Sequence, residues 1–322
     1  VIYYETPTLE SYCIFMVYGA SDVSISGTGK LIGDKSFHNG TTGEWGHGIS
    51  VYHSKNVLVE GVECSNLWGD AIYMYYGSPV CENVKIRNVF LHDCRRQGVS
   101  VTGGRSIRIE SFRIENIRGT NPQSAIDIEN HSAQPINDVI IKDGVIRNCF
   151  QGVILQNKPS QDVVEGSGNN VAGRLSNISI SQVNSDAPCL LTHNVIFEDC
   201  VSPVNIVGPC VIRNSSLTIN ETANVEGLEG FCSIRDCEIE RLSNQARSPI
   251  IEVFFDDCRL SFSEATSGKY FRNANGSRFK FNDSKISFNA AIESPYVVVN
   301  SEFRRCFIDC YDTPYLRSQV YD

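Results

Sequence analysis

From His47 to Gln156 apolar residues fall at every second position in short runs: ISV, IYM, VSV, IDI and VIL. A polar or glycine turn follows each run, and then a second alternating run: VLVEGV, VKIRNV, IRIESF, VIIKDGV. A period of two belongs to strands with one buried face, and almost no stretch has the 3.6 period of a helix. Stretches beginning at His47, Asp70, Gln97, Ser124 and Gln151 align at steps of 23, 27, 27 and 27 residues. The repeats close on Asn66, Asp93, Asn116 or Asn148, residue types that tolerate left-handed turns. One such unit cannot bury its own apolar face, whereas a stack of them can. The pattern predicts an all-β solenoid, single-stranded, with roughly 27 residues per turn.

Residues 14–156 carry the regular rungs. The loop 157–174 interrupts them, and 175–322 resumes the strand rhythm less regularly and with more Phe. No linker-like composition separates the halves, so 1–322 is expected to form one domain.

The stretches ISGTGKLIGD, GEWGHGISV, SKNVLVEGVECSNLWGDAIYM, RRQGVSV and GTNPQSAIDIEN resemble the right-handed parallel β-helix superfamily: pectate-lyase-like proteins, polygalacturonase-like hydrolases and phage tailspike depolymerases. The resemblance implies that fold and a polysaccharide partner (capsule, lipopolysaccharide or an acidic plant or bacterial glycan). If the chain is a tailspike, it also implies a homotrimer and an extracellular or virion-associated location. β-Helices host hydrolases, lyases, epimerases and inert spikes, so fold alone does not choose a reaction.

Charge narrows the choice. With 28 Lys and Arg against 37 Asp and Glu the net charge is −9, a poor match to nucleic acid. No apolar run is long enough to span a bilayer. The start at Val1, without Met or a signal-like segment, points to a fragment or a mature chain. Thirteen cysteines cannot all pair, and none lies in a zinc-like spacing. They read as small buried hydrophobes in a protein made in a reducing cytosol. No metal or cofactor is expected.

Alternation then assigns side chains. Ile49, Val51, Ile72, Met74, Val99, Val101, Ile126 and Ile128 point inward. Ser50, Tyr73, Ser100, Asp127 and Ile154 form one outward column, and Tyr52, Tyr75, Thr102, Glu129 and Gln156 the next, facing solvent. Asp127 and Glu129 lie two apart on one strand, with Cα atoms roughly 6.5–7 Å apart. Inverting glycosidases separate their carboxyl groups by about 6.5–9.5 Å, so this pair is the favoured acid/base couple. The other reading is a solvated acidic face.

Asp70 is a third candidate acid or a turn cap. His47 is an acid/base group or a turn-bonded ring. Arg95 and Arg96 suit the carboxylate of an acidic sugar, or balance nearby acids. Trp45, Trp68, Tyr73 and Tyr75 are sugar platforms or ladder packing. The expected activity is glycoside hydrolysis. A uronate lyase or epimerase and a non-catalytic glycan-binding spike are the rivals. In the second half Asp256, Asp257, Glu302 and Asp309 stay open as acids, and the 157–174 loop as a groove wall.

Overall fold

The computed structural model describes residues 12–130, 136–157, 175–192, 195–206, 210–222, 232–242, 252–262, 278–288, 301–310 and 319–321. The 157–174 loop therefore lies outside the described residues, apart from Asn157. The chain divides into two compact units, Val1–Ile178 with Val183–Ala187, and Ser179–Gln182 with Pro188–Asp322. The fold is a right-handed parallel β-helix, and its described strand pairs are parallel.

In the first unit three strand stacks wind around one core. The first stack comprises β1 (Cys13–Tyr18), β4 (His47–Tyr52), β7 (Ile72–Met74), β10 (Val99–Val101), β12 (Ser124–Asn130) and β14 (Gln151–Asn157). The second holds β2 (Ser21–Ser26), β5 (Lys55–Glu60) and β8 (Glu82–Arg87), and the third β3 (Lys30–Ile32), β6 (Glu63–Ser65) and β9 (Phe90–His92). The long strands β11 (Gly104–Glu115) and β13 (Ile136–Arg147) run through both of these stacks. A short 3-10 turn, Lys35–Phe37, interrupts the β pattern.

The register matches the alternation of the sequence. Ser50 pairs with Tyr73, Tyr73 with Ser100, Ser100 with Asp127 and Asp127 with Ile154. Ile49, Ile72, Val99, Ile126 and Val153 stack inward with no exposed area, one per rung. Burying each side chain contributes about 1.5–3 kcal/mol, and each rung completes its neighbour's core.

The corners are held by left-handed residues. Asn66, Asp93, Asn116 and Asn148 have φ of 55°, 57°, 56° and 51°. Their side chains bond up the stack: Asn116 Nδ2 donates to Asp93 Oδ1 at 3.1 Å, and Asn148 Nδ2 to Asn116 Oδ1 at 2.7 Å. A second ladder joins Asp22, Asn56 and Asn83. Between β5 and β6, Gly61 (φ 78°) packs so tightly that a Cβ would sit 2.5 Å from the Gly27 carbonyl.

In the second unit the register steps vary between 15 and 26 residues. Ile180, Phe197, Ile212, Ile234, Phe255, Phe281 and Phe303 form a continuous inward column. Its phenylalanines stack face to face, 4.6 Å between the Phe255 and Phe281 centroids and 5.0 Å between Phe281 and Phe303. Cys64, Cys81, Cys94, Cys149, Cys237 and Cys258 are buried free thiols.

Candidate functional site

Polar residues of the first stack collect on the outside of β4, β7, β10 and β12. Asp127 and Glu129 alternate with the core residues Ile126 and Ile128, so both leave the coil on the same side. His47, Asp70, Gln97 and Ser124 occupy one further column: Gly48 N donates to Asp70 O, Ala71 N to Gln97 O and Gly98 N to Ser124 O. Gln97 links the two columns by donating an Nε2 hydrogen bond to Asp127 Oδ2.

These outward columns differ from the sequence expectation in one respect. Ser50, Ser100, Thr102, Asp127, Glu129 and Ile154 point out of the coil but are buried rather than solvated. Larger and longer neighbours lie across the small ones. The Tyr73 ring stacks on His47 at 4.6 Å, the Gln97 amide reaches Asp127, and the Thr102 hydroxyl donates to Met74 O at 2.7 Å.

Asp70 is the most constrained acid. It has no exposed area, and neither carboxylate oxygen receives a hydrogen bond. Its nearest cation is Arg96 Nη1 at 3.8 Å. Burial pushes its carboxyl up to about 7; Arg96 opposes this, while Glu44 and Glu129 add to it. Glu129 acts on Asp70 from two rungs away. His47 lies 3.7 Å from the Asp70 carboxylate, but this is no ion pair. Nδ1 already accepts the Asp70 N–H at 3.0 Å, and burial, aided by Arg96, brings the ring down to about 3. Close packing enforces the contact, since a Cβ on Gly69 would come within 2.7 Å of His47 Nδ1.

The two arginines turn different ways. Arg95 donates from Nε to Trp68 O at 2.7 Å, from Nη1 to Thr41 O at 2.9 Å and Thr120 Oγ1 at 2.8 Å, and from Nη2 to Gly43 O. Its guanidinium lies 3.9 Å from the Trp68 ring centre, so Arg95 fastens the segment before Trp45. Arg96 faces the acids: Nη2 is 3.3 Å from Glu44 Oε1, and Nε has no acceptor.

Among the aromatic candidates, Trp68 is buried between Arg95 and His38, whose ring is 4.7 Å away. Trp45 is half-buried. Tyr73 borders the acids, and burial raises its phenol well above the ordinary range. Tyr75 stacks between Tyr52 (4.7 Å) and Tyr76 (4.5 Å). In the second unit Asp256 pairs with Arg235 at 3.3 Å and Asp257 is a left-handed turn residue. Glu302 lies on the strand Ser301–Arg304 and Asp309 on Phe307–Cys310.

Sequence reasoning did not single out Gln97 or Glu44. Gln97 was detectable, because QGVSV aligns beneath DAIYM and puts it in the Asp70 column. Glu44 was not, since its segment has no counterpart in the repeats.

A family model described as "Right handed beta helix region" matches residues 21–196. The SPbeta prophage-derived uncharacterized protein YorA of Bacillus subtilis (strain 168) is 34% identical over 140 residues, 38% of this chain and 24% of its own. Uncharacterized protein YclG of the same organism is 29% identical over 167 residues, 44% and 28% respectively. The chain thus spans about a quarter of the length of these relatives. The tailspike protein of E. coli bacteriophage HK620, solved in complex with a pentasaccharide, superposes with a TM-score of 0.53 at 11% identity, over 93% of this chain and 59% of that one. The Azotobacter vinelandii mannuronan C-5 epimerase AlgE6 A-module gives 0.40 at 14% identity, over 97% and 78%. The tailspike likeness is one of fold.

Proposed function

The chain belongs to the right-handed β-helix family, and from that premise we propose that it degrades a polysaccharide by glycoside hydrolysis at the Asp70–Asp127–Glu129 patch. One observation carries this reading: a carboxyl group, Asp70, is buried without a hydrogen-bond donor, and two further buried acids, Asp127 and Glu129, lie two rungs along the same stack. A carboxyl that keeps its proton near neutrality suits a general acid. Asp127, which accepts the Gln97 amide, and Glu129 are the partners that activate water. His47 and Tyr73 form a rigid wall beside the acid. The HK620 tailspike was solved with a pentasaccharide, which supports a glycan partner and, by extension, an extracellular or virion-borne site of action.

A lyase or epimerase on uronic acids is the second reading, favoured by Arg96 beside Asp70. Incubation with a panel of bacterial and plant polysaccharides separates the two. Hydrolysis yields new reducing ends without ultraviolet-absorbing unsaturated uronates, a lyase yields both, and an epimerase changes sugar composition without shortening the chain. No change in any glycan under prolonged incubation removes both enzymatic readings.

A further inference from the structure

We propose that the site takes a glycan carrying a carboxylate, and that Glu44 occupies Arg96 in place of that carboxylate until the sugar arrives. The inference rests on the glycan-site reading above and names its substrate class.

Arg96 is more than nine-tenths buried. Its Nε has no acceptor, and Asp70, at 3.8 Å, is too distant for a hydrogen bond. Glu44 therefore provides its close carboxylate contact, from one oxygen at 3.3 Å. A guanidinium fork is built to receive two parallel oxygens, so Glu44 leaves half of it unused. The Glu44 side chain is also 70% exposed. Its pairing is screened by water and readily exchanged, while its backbone is tied down through the Arg95 bonds to Thr41 and Gly43 and by a hydrogen bond with His47.

Gln97, the residue after Arg96, and Ser124 carry a buried Oε1 and a buried Oγ without partners, on successive rungs of the Asp70 column. Unsatisfied buried polar atoms are costly and call for a role. Arg96 directly precedes this column, and its half-paired guanidinium, the amide oxygen and the hydroxyl match the carboxylate and the hydroxyls of an acidic sugar. A neutral sugar would use the amide oxygen and the hydroxyl and leave the cation no better paired than before.

The test is binding of the full chain to an array of acidic polysaccharides, each printed beside its carboxyl-reduced form. Wild type is expected to retain at least one acidic member about tenfold more tightly than its reduced twin. Arg96→Gln should abolish that ratio while keeping residual binding, and Arg96→Lys, which keeps charge without the fork, should recover part of it. Glu44→Gln, a change at an exposed side chain, should strengthen binding of the acidic form several-fold and leave the reduced form unchanged. Equal retention of both forms, or Glu44→Gln acting on both alike, overturns the inference and leaves the glycan-site reading standing. Retention of no glycan at all overturns both.

Discussion

The Asp70 backbone N–H donates to Nδ1 of His47 at 3.0 Å, so the nitrogen nearest the Asp70 carboxylate is occupied as an acceptor and carries no proton. Burial thus favours the uncharged form of both neighbours, raising the Asp70 carboxyl and lowering the His47 ring.

Their pH signatures oppose each other. The raised Asp70 carboxyl contributes stability fully present below about pH 4 and lost as pH rises to about 7. The lowered His47 contributes stability present above about pH 6.5 and lost as pH falls toward 3. Between about pH 4 and 6.5 the two slopes cancel. Asp70→Asn should therefore gain stability with rising pH across this window, and His47→Gln should lose it. Each should amount to up to a few kcal/mol across the window, read from urea unfolding at several pH values. Parallel profiles for the two variants would refute the neutral pair.

Turnover should depend on all three acids. Asp70→Asn, Asp127→Asn and Glu129→Gln should each lower kcat by about 100-fold or more, while circular dichroism stays close to wild type. Wild-type kcat/KM should decline above about pH 7, as Asp70 loses its proton. In Glu44→Gln that decline should begin at lower pH, because Glu44 helps keep Asp70 protonated. An unchanged alkaline limb would place the proton donor elsewhere.

Arg95 and Arg96 should separate into stability and substrate effects. Arg95→Lys loses the fork to Thr41, Gly43, Thr120 and Trp68 and the stack on the Trp68 ring. It should destabilise by about 2–3 kcal/mol, whereas Arg96→Lys should shift the unfolding midpoint little and alter glycan binding. Equal unfolding midpoints for the two variants would contradict this division.

At Asn116 backbone and side chain can be told apart. Asn116→Ala keeps the left-handed φ of 56° without a residue suited to it and drops both ladder bonds. A cost of about 2 kcal/mol is expected. Asn116→Gly removes the same bonds without backbone strain and should cost about half as much. Equal costs would show that the ladder bonds alone matter.

The repeat carried most of the first unit into view. Once Ser100 is placed between Tyr73 and Asp127, a period of two fixes which residues line the core, and the 27-residue step fixes their rung neighbours. The left-handed corners at Asn66, Asp93, Asn116 and Asn148 follow from residue type. What the repeat could not reveal comes from outside it. Glu44 sits on a segment without a repeated counterpart, brought over the site by Arg95 bonds to backbone carbonyls more than 50 positions earlier. For the same reason the sequence leaves Trp68 open between sugar platform and packing and Arg95 between sugar contact and charge balance, whereas in the structure Arg95 lies over the Trp68 ring and Trp68 stacks on His38.

The constant step between Tyr73, Ser100 and Asp127 also makes the site editable in whole turns. Excising residues 97–123 would leave every core column unbroken, set Ser124 directly after Asp70 in its column, and bring Asp127 against Tyr73. The Asp127–Glu129 rung would advance toward Asp70 by a single rung with no new side chain introduced. A lineage could resize such a site by gaining or losing turns, without rebuilding it residue by residue.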